Sequence, residues 1–161
     1  MSETHISFEP QRFLAAVYES LEELKKSRVG PLLADRHGGY FAFTDQVGRP
    51  LLLSLIGTVP HEKLDRYRTF CLEKAARLAS HVSHDLSRES RNPAKDQYGG
   101  AIKSLPYILS FSGLPEELDE LLMFMVAVKT GVMRKDVARD RFYHFPTPYA
   151  QMSINDAWKI D

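Results

Sequence analysis

The chain offers little of what would assign it at once to a functional class. Its 161 residues include one cysteine, Cys71, so no disulfide can form within the chain. Cys71 falls among apolar residues of a predicted helix, where a thiol acts as a small hydrophobic group rather than a reactive one. The 21 basic and 21 acidic side chains cancel, so no net charge attracts nucleic acid or an anionic membrane. We expect neither as a partner.

Long apolar runs and targeting signals are also missing. The most apolar stretch, Leu118 to Val128, is far shorter than the ~20 residues that cross a bilayer. Residues Met1 to His5 show no basic segment followed by an apolar run, so we expect no secretory signal. The sequence therefore predicts a cytoplasmic protein.

The motifs of several enzyme classes are absent as well. Ser110 to Gly113 lacks the Gly-x-Ser-x-Gly frame of a serine hydrolase. The chain contains neither the glycine-rich fingerprint of dinucleotide-binding proteins nor a P-loop. His81 and His84 lie three residues apart near a predicted helix end, but the further cysteine or histidine of a strong zinc signature is missing. We predict no catalytic constellation and no metal site, and interpret these histidines as solvated helix-end residues.

What is present is the pattern of an ordinary globular domain. The hydrophobic fraction of 43% and the length of 161 residues favour one domain with a buried core. Apolar residues at helical spacing predict helices after Pro10, from about His61 to Val82, from Pro115 to Thr130 and from Arg134 to Arg141. Short aliphatic and aromatic runs predict strands at Leu32–Ala34, Tyr40–Thr44, Pro50–Ile56, Ala101–Ile102 and Tyr107–Ser112, with turns at Gly38–Gly39 and Asp45–Gly48. These elements predict an α+β fold, an antiparallel sheet with helices packed across it.

The segment from Gly99 to Glu120 is the most informative part of the sequence. Gly99 and Gly100 permit backbone angles that are closed to other residues, which suits either a tight turn into a strand or the close approach of a ligand. Ser112 stands where a strand gives way to a helix with an acidic first turn. The helix dipole explains most of that acidity, because carboxylates are stabilised at a helix N-terminus.

The remaining acidity calls for a partner. Glu116 and Glu120, four residues apart, share a helix face and repel each other unless a cation lies nearby. Lys74 or Arg91 can supply that cation, whereas Asp119 is expected to point elsewhere. Two interpretations stay open: a structural cluster of ion pairs, or a ligand pocket lined by the same groups.

These motifs resemble the GlcG/HbpS-like family, also described as a haem-binding or haem-degrading domain. The resemblance rests on Gly99-Gly100-Ala101-Ile102 and Ser112 to Glu120, and extends to Glu73-Lys74-Ala75, to Ser87, Glu89 and Arg91, and to Gly48-Arg49-Pro50-Leu51. It covers roughly residues 30 to 130 and implies a profilin-like fold, homo-oligomers and, in some members, haem binding. Some relatives carry a histidine in the first helix. Gln11 to Arg28 contains none, which weakens the case for haem.

The sequence thus predicts a GlcG/HbpS-like domain over residues 1–139. Residues 140–161 are predicted to form an extension that packs on the domain or on a neighbouring subunit. The expected function is non-enzymatic binding of a small molecule, haem included, or interaction within a homo-oligomer. The alternative is a small enzyme that acts on a minor metabolite or on haem. The candidate ligand-binding residues are Lys74, Arg91, Gly99, Gly100, Ser112, Glu116 and Glu120.

Overall fold

Helical and strand periodicities alternate along the chain. The structure is a computed structural model that describes residues 8–33 and 35–144, without the side chains of Tyr143 and His144. In chain order the elements are α1 (Pro10–Lys26), α2 (Gly30–Leu33), β1 (His37–Asp45), β2 (Pro50–Thr58), α3 (Leu64–Ser80), β3 (Ala101–Ser104), β4 (Tyr107–Ser112), α4 (Glu116–Thr130) and α5 (Lys135–His144). Short 3₁₀ turns lie at His61–Lys63, Ser87–Ser90 and Pro93–Lys95.

Four strands form one antiparallel sheet in the order β2-β1-β4-β3. The hairpins β1–β2 and β3–β4 each join neighbours in sequence. The central pair β1–β4 joins the two hairpins, with Phe41 opposite Phe111 and Ala42 opposite Ser110. The predicted α+β class is confirmed, and the predicted hairpin loop between Asp45 and Pro50 is present.

The two faces of the sheet carry different helices. Successive residues of a strand point to opposite faces, so Leu109 and Phe111 join the large core formed with α1 and α4. Ile108 packs with Ala75 and Leu78 of α3 on the other face. There the Ser110 hydroxyl donates to the Cys71 carbonyl at 2.7 Å. The sheet is therefore enclosed between α3 on one side and α1 with α4 on the other.

Helix α4 is buried on nearly all sides rather than along the single stripe that its spacing predicts. Met123 and Phe124 lie off that stripe, yet both are fully buried. The cause is that α4 is covered on its remaining sides: α1 packs against α4 as well as on the sheet, and Phe142 of α5 meets the edge of Phe124 at a centroid distance of 6.0 Å. Gly131 ends α4 in the left-handed conformation, as predicted.

Two local predictions are wrong. Gly30 to Leu33 form a short helix instead of a strand, because Pro31 has the fixed backbone angle of a first helical turn. Gly38 and Gly39 lie inside β1 rather than in a turn. A Cβ on Gly38 would lie 2.0 Å from the Ile56 carbonyl oxygen, so the glycine serves close packing between strands.

The C-terminal part is described only as far as α5. This helix runs through the predicted boundary at residue 140, and the buried Phe142 belongs to the core. Arg141 donates to the Lys103 carbonyl oxygen. Trp158 and the rest of the predicted extension lie outside the described residues. Among the helices that are described, none has the length and apolar character of a membrane span.

The buried cysteine provides a first test of the fold. Burial raises the pKa of the Cys71 thiol to about 12, so at neutral pH it is protonated and shielded. We expect a disulfide reagent such as dithionitrobenzoate to leave the native protein unlabelled and to label one thiol per chain in urea. Rapid labelling of the native protein, at the rate of free glutathione, would contradict the packing of α3 on the sheet.

Candidate functional site

The short edge strand β3 leaves the end of β4 uncovered. Gly100 precedes β3 and has a φ of 125°, a conformation that side chains rarely adopt. A Cβ at this position would lie 2.7 Å from Lys74 Nζ and 2.9 Å from Asp119 Cβ. The glycine therefore leaves the space in which Lys74 of α3, from one face of the sheet, meets Asp119 of α4, from the other.

Lys74 and Asp119 form an ion pair whose side chains are each 3% exposed. Lys74 Nζ donates to Asp119 Oδ2 at 3.1 Å and to the Phe111 carbonyl oxygen at 2.8 Å. The second oxygen, Oδ1, accepts the Leu114 N–H at 2.9 Å. Burial raises the pKa of Asp119 to about 6, against the opposing effects of Lys74 and the Leu114 N–H. Through its two oxygens, Asp119 holds the turn between β4 and α4 onto α3.

Two further carboxylates of α4 bind the polar segment 84–98. Glu116 accepts the Arg91 Nε–H at 2.6 Å and the Gly99 N–H at 2.8 Å. Glu120 accepts a hydrogen bond from Arg88 Nη2 at 2.6 Å. Burial raises the pKa of Glu120 to about 7, although Arg88 opposes the shift. Glu116, Asp119 and Glu120 thus have separate cationic partners, which relieves the repulsion between Glu116 and Glu120.

A cleft of about 290 Å³ opens beside this cluster. Its floor is the turn from Ser112 to Pro115, and its walls come from the start of α3 and from Tyr98. The ring centroids of Phe70 and Tyr98 lie 5.7 Å apart. Arg77 donates to the Tyr98 carbonyl oxygen and so fixes this residue at the cleft. The full lining is Arg36, Lys63, Arg66, Tyr67, Phe70, Lys74, Tyr98, Ser112, Gly113, Leu114, Pro115, Glu116 and Asp119.

Positive charge exceeds negative charge in the cleft. Its two carboxylates are engaged, Asp119 by Lys74 and Glu116 by Arg91. Three other cations face the same space: Arg36, Lys63 and Arg66. The Arg36 guanidinium makes a long contact of 3.4 Å to the Gly113 carbonyl, and that of Arg66 lies 5.1 Å from the centroid of the Phe70 ring. The cleft therefore combines a cationic mouth with aromatic walls.

The predicted ligand-binding residues fall into two groups. Lys74, Ser112 and Glu116 line the cleft. The other four do not line the cleft but contact the residues that do or lie beside them. Arg91 and Gly99 bind Glu116, and Gly100 leaves space for Lys74. Glu120 pairs with Arg88. The expectation that Asp119 points elsewhere is wrong, because the shortness of β3 brings it to Lys74.

Sequence reasoning missed most of the lining. Arg36 precedes β1, Lys63 and Arg66 flank the start of α3, and Tyr98 ends the polar segment. No local spacing links these positions, because the fold brings them together from separate elements. The one available signal was the run His61 to Arg68, which carries several basic side chains at the beginning of a helix.

The histidines that raised the question of metal binding stack on each other. The rings of His81 and His84 lie 4.6 Å apart and are nearly parallel, and His81 Nδ1 lies 2.8 Å from the Arg77 carbonyl oxygen. Over residues 8–33 and 35–144, no group of three side chains with metal-binding atoms comes together.

Comparisons with known proteins add little to this geometry. No protein family matches the chain, and no curated protein matches it. The fold is similar to the crystal structure of the Klebsiella pneumoniae protein ORFY, of the DUF336 family, with 15% sequence identity and a TM-score of 0.48 over 83% of this chain and 100% of that one. DUF336 is the GlcG-like family that the motifs resemble. A structural similarity this distant does not indicate a function for this chain.

A matched pair of substitutions tests whether Lys74 and Asp119 need the space that Gly100 leaves. We expect Gly100→Ala to lower the free energy of unfolding by ~2 kcal/mol or more, because the new Cβ is strained and displaces Lys74 or Asp119. Gly99→Ala should cost about 1 kcal/mol or less, since its Cβ would lie 3.2 Å from the Arg88 Cβ. Urea unfolding followed by circular dichroism measures both, and equal losses would contradict the proposed role of Gly100.

The raised pKa of Glu120 predicts a pH dependence of stability. Its folded-state pKa of about 7 exceeds the ordinary value of 4.5, so the folded protein binds more protons than the unfolded chain between these values. Stability therefore falls as pH rises through this window. Asp119, with its pKa raised to about 6, acts in the same direction.

Glu120→Gln should flatten this dependence, because the variant has no proton to lose. Urea unfolding at about pH 5 and about pH 7 measures the free energy of unfolding of the variant and of the wild type. We expect the wild type to lose more stability than Glu120→Gln between these two pH values. Glu62→Gln, at an exposed site, is the control and should follow the wild type. Parallel curves for Glu120→Gln and the wild type would show that Glu120 is not buried as described.

Proposed function

We propose that this chain is a non-enzymatic binding protein and that the cleft holds a small anionic ligand with a flat, apolar part. The observation that carries the proposal is the surplus of cations in the cleft once Asp119 and Glu116 are paired. A carboxylate or phosphate group would complete the charge balance at Arg36, Lys63 and Arg66. Charge-assisted hydrogen bonds of this kind are about twice as strong as neutral ones.

The walls define the rest of the ligand. Tyr67 is largely buried, and Phe70 and Tyr98 stand in tilted contact. Aromatic walls favour a planar group, because rings pack at offset or tilted angles with centroids about 4.5–7 Å apart. An aryl carboxylate or aryl phosphate meets both requirements.

Lys74 suits binding better than chemistry. Two of its three N–H groups are engaged by Phe111 and Asp119, which leaves one donor for a ligand oxygen. An enzyme that used Lys74 as a nucleophile would need a neutral amine. Here Lys74 Nζ donates to two acceptors, which fixes it as a hydrogen-bond donor.

Haem is a larger member of the same chemical class, since it is flat and carries carboxylates. Tyr67 and Tyr98 supply a side chain that can ligate haem iron. The cleft of about 290 Å³ stands at the lower end of the roughly 300–1,000 Å³ that is usual for small-molecule pockets. Its size therefore favours a ligand of metabolite size over a tetrapyrrole.

Calorimetric titration with four probes separates the two parts of the ligand. We expect phenyl phosphate and benzoate to bind more tightly than inorganic phosphate, which lacks the ring, and than benzyl alcohol, which lacks the charge. Affinity should fall with added salt, because the mouth of the cleft is open to solvent. Equal affinity for phenyl phosphate and benzyl alcohol would show that the cations at the mouth of the cleft do not contribute to binding, which contradicts the proposal.

Two arginines on α3 provide a matched pair of variants. Arg66→Ala removes a cation from the cleft and should weaken phenyl phosphate binding several-fold, the change expected for one partly exposed charged contact. Arg68→Ala is the control, because Arg68 pairs with Asp65 at 3.5 Å and does not line the cleft. If both variants bind like the wild type, the ligand lies elsewhere. A saturable Soret shift with one equivalent of haemin would overturn the size argument in favour of haem.

A further inference from the structure

Helix α5 runs back along α4 and ends near the cleft. It begins just beyond the end of α4, and Phe142 in its last turn meets Phe124 in the middle of α4. The guanidinium of Arg141 lies 3.6 Å from the carboxylate of Asp85, in the polar segment 84–98. The chain therefore leaves α5 beside the elements that wall the cleft.

The distance from this point to the cleft is short. Glu116 lines the cleft and lies eight residues before Phe124, which corresponds to about 12 Å along a helix. Residues 145–155, which follow α5, can span about 36 Å when extended. The part of the chain from Asp156 onward can therefore reach the cleft with length to spare.

The segment 145–161 carries the two kinds of group that suit the cleft. It contains Trp158, the single tryptophan of the chain, and two acidic side chains against one basic side chain. Asp156 stands two positions before Trp158, and side chains two positions apart lie on the same side of an extended chain. A carboxylate and a flat ring can therefore enter one site together.

We propose that the C-terminal segment 145–161 occupies the cleft of its own chain and competes there with the ligand. Asp156 contacts the cations at the mouth, and Trp158 packs against the aromatic wall formed by Phe70 and Tyr98. This inference rests on the proposed function, because the segment presents the same combination of a negative charge and a flat ring.

Charge and aromatic contact both favour this occupant. The cleft has a surplus of positive charge at Arg36, Lys63 and Arg66, and the carboxylate of Asp156 would balance part of it. An indole ring is the aromatic side chain that attracts cations most strongly. The Arg66 guanidinium already lies 5.1 Å from the centroid of the Phe70 ring, so an indole placed there gains the same kind of contact.

The covalent connection makes even weak contacts sufficient. A segment held by a short linker is present at its site at an effective concentration in the millimolar range. A contact with a dissociation constant of about 0.1 mM would then fill about nine of ten clefts. A free ligand binds only the open fraction, so its apparent affinity is lowered about tenfold.

The fluorescence of Trp158 reports on the segment directly, because the chain has no other tryptophan. In the full-length protein we expect emission at a shorter wavelength than that of N-acetyltryptophanamide. Arg66→Ala should shift the emission toward the solvent value, whereas Arg68→Ala, on the same helix but outside the cleft, should not. Solvent-like emission in the wild type would overturn the proposal, and so would buried emission that is unchanged in folded Arg66→Ala.

Calorimetric titration with phenyl phosphate measures the competition. Trp158→Ala and Asp156→Asn should each bind phenyl phosphate several-fold more tightly than the wild type, because the cleft is then open for more of the time. Asp161→Asn removes an acid of the same segment and is the matched control, so it should bind like the wild type. Equal affinity in Trp158→Ala and the wild type would contradict the competition.

The outcomes separate this inference from the proposed function. If no variant binds phenyl phosphate, the proposed ligand class is wrong, and the emission of Trp158 in Arg66→Ala still decides whether the segment lies in the cleft. If phenyl phosphate binds but Trp158 is exposed to solvent, only this inference fails. Emission that depends on protein concentration would assign the segment to the cleft of a second copy, which also contradicts the proposal.

Discussion

The meeting of Lys74 and Asp119 is the constraint on which the arrangement depends. The two residues come from helices on opposite faces of the sheet, and they touch only because β3 starts late and Gly100 has no side chain. A buried pair of this kind adds little net stability, but removal of one partner costs ~3–5 kcal/mol because the other charge is left buried. The pair therefore fixes the relative position of the two layers more than it strengthens the fold.

The character of the cleft depends on how the neighbouring charges are distributed. Asp119 and Glu116 each bind a cation and a backbone N–H, so neither repels an incoming anion at full strength. The net charge of the chain is zero, which concealed this local imbalance. A neutral protein can thus carry a strongly cationic site wherever its acids have their own partners.

The sequence was sufficient for most helices and strands and for a small part of the site. Helical periodicity located α1 and α3, which bury one stripe, while short apolar runs located the strands of both hairpins. Helix α4 was also located, although it is buried on nearly all sides. Sequence reasoning failed at Gly38 and Gly39, where neighbouring strands, not local geometry, require glycine. It also failed at Asp119, whose partner lies 45 positions earlier in the chain. Arg36, Lys63 and Arg66 share no spacing, so their convergence depends on tertiary contacts that no local pattern encodes.

The strand order has a consequence for how the chain folds. The outer pairs of the sheet are hairpins with short loops, whereas the central pair β1–β4 joins strands separated by β2, α3 and β3. Hairpins form within about 1–10 μs, but pairing across a long loop must first overcome the entropy of closing it. We therefore expect two preformed hairpins to search for each other while α3 is still loosely attached. We expect the docking of β1 on β4 to set the folding rate.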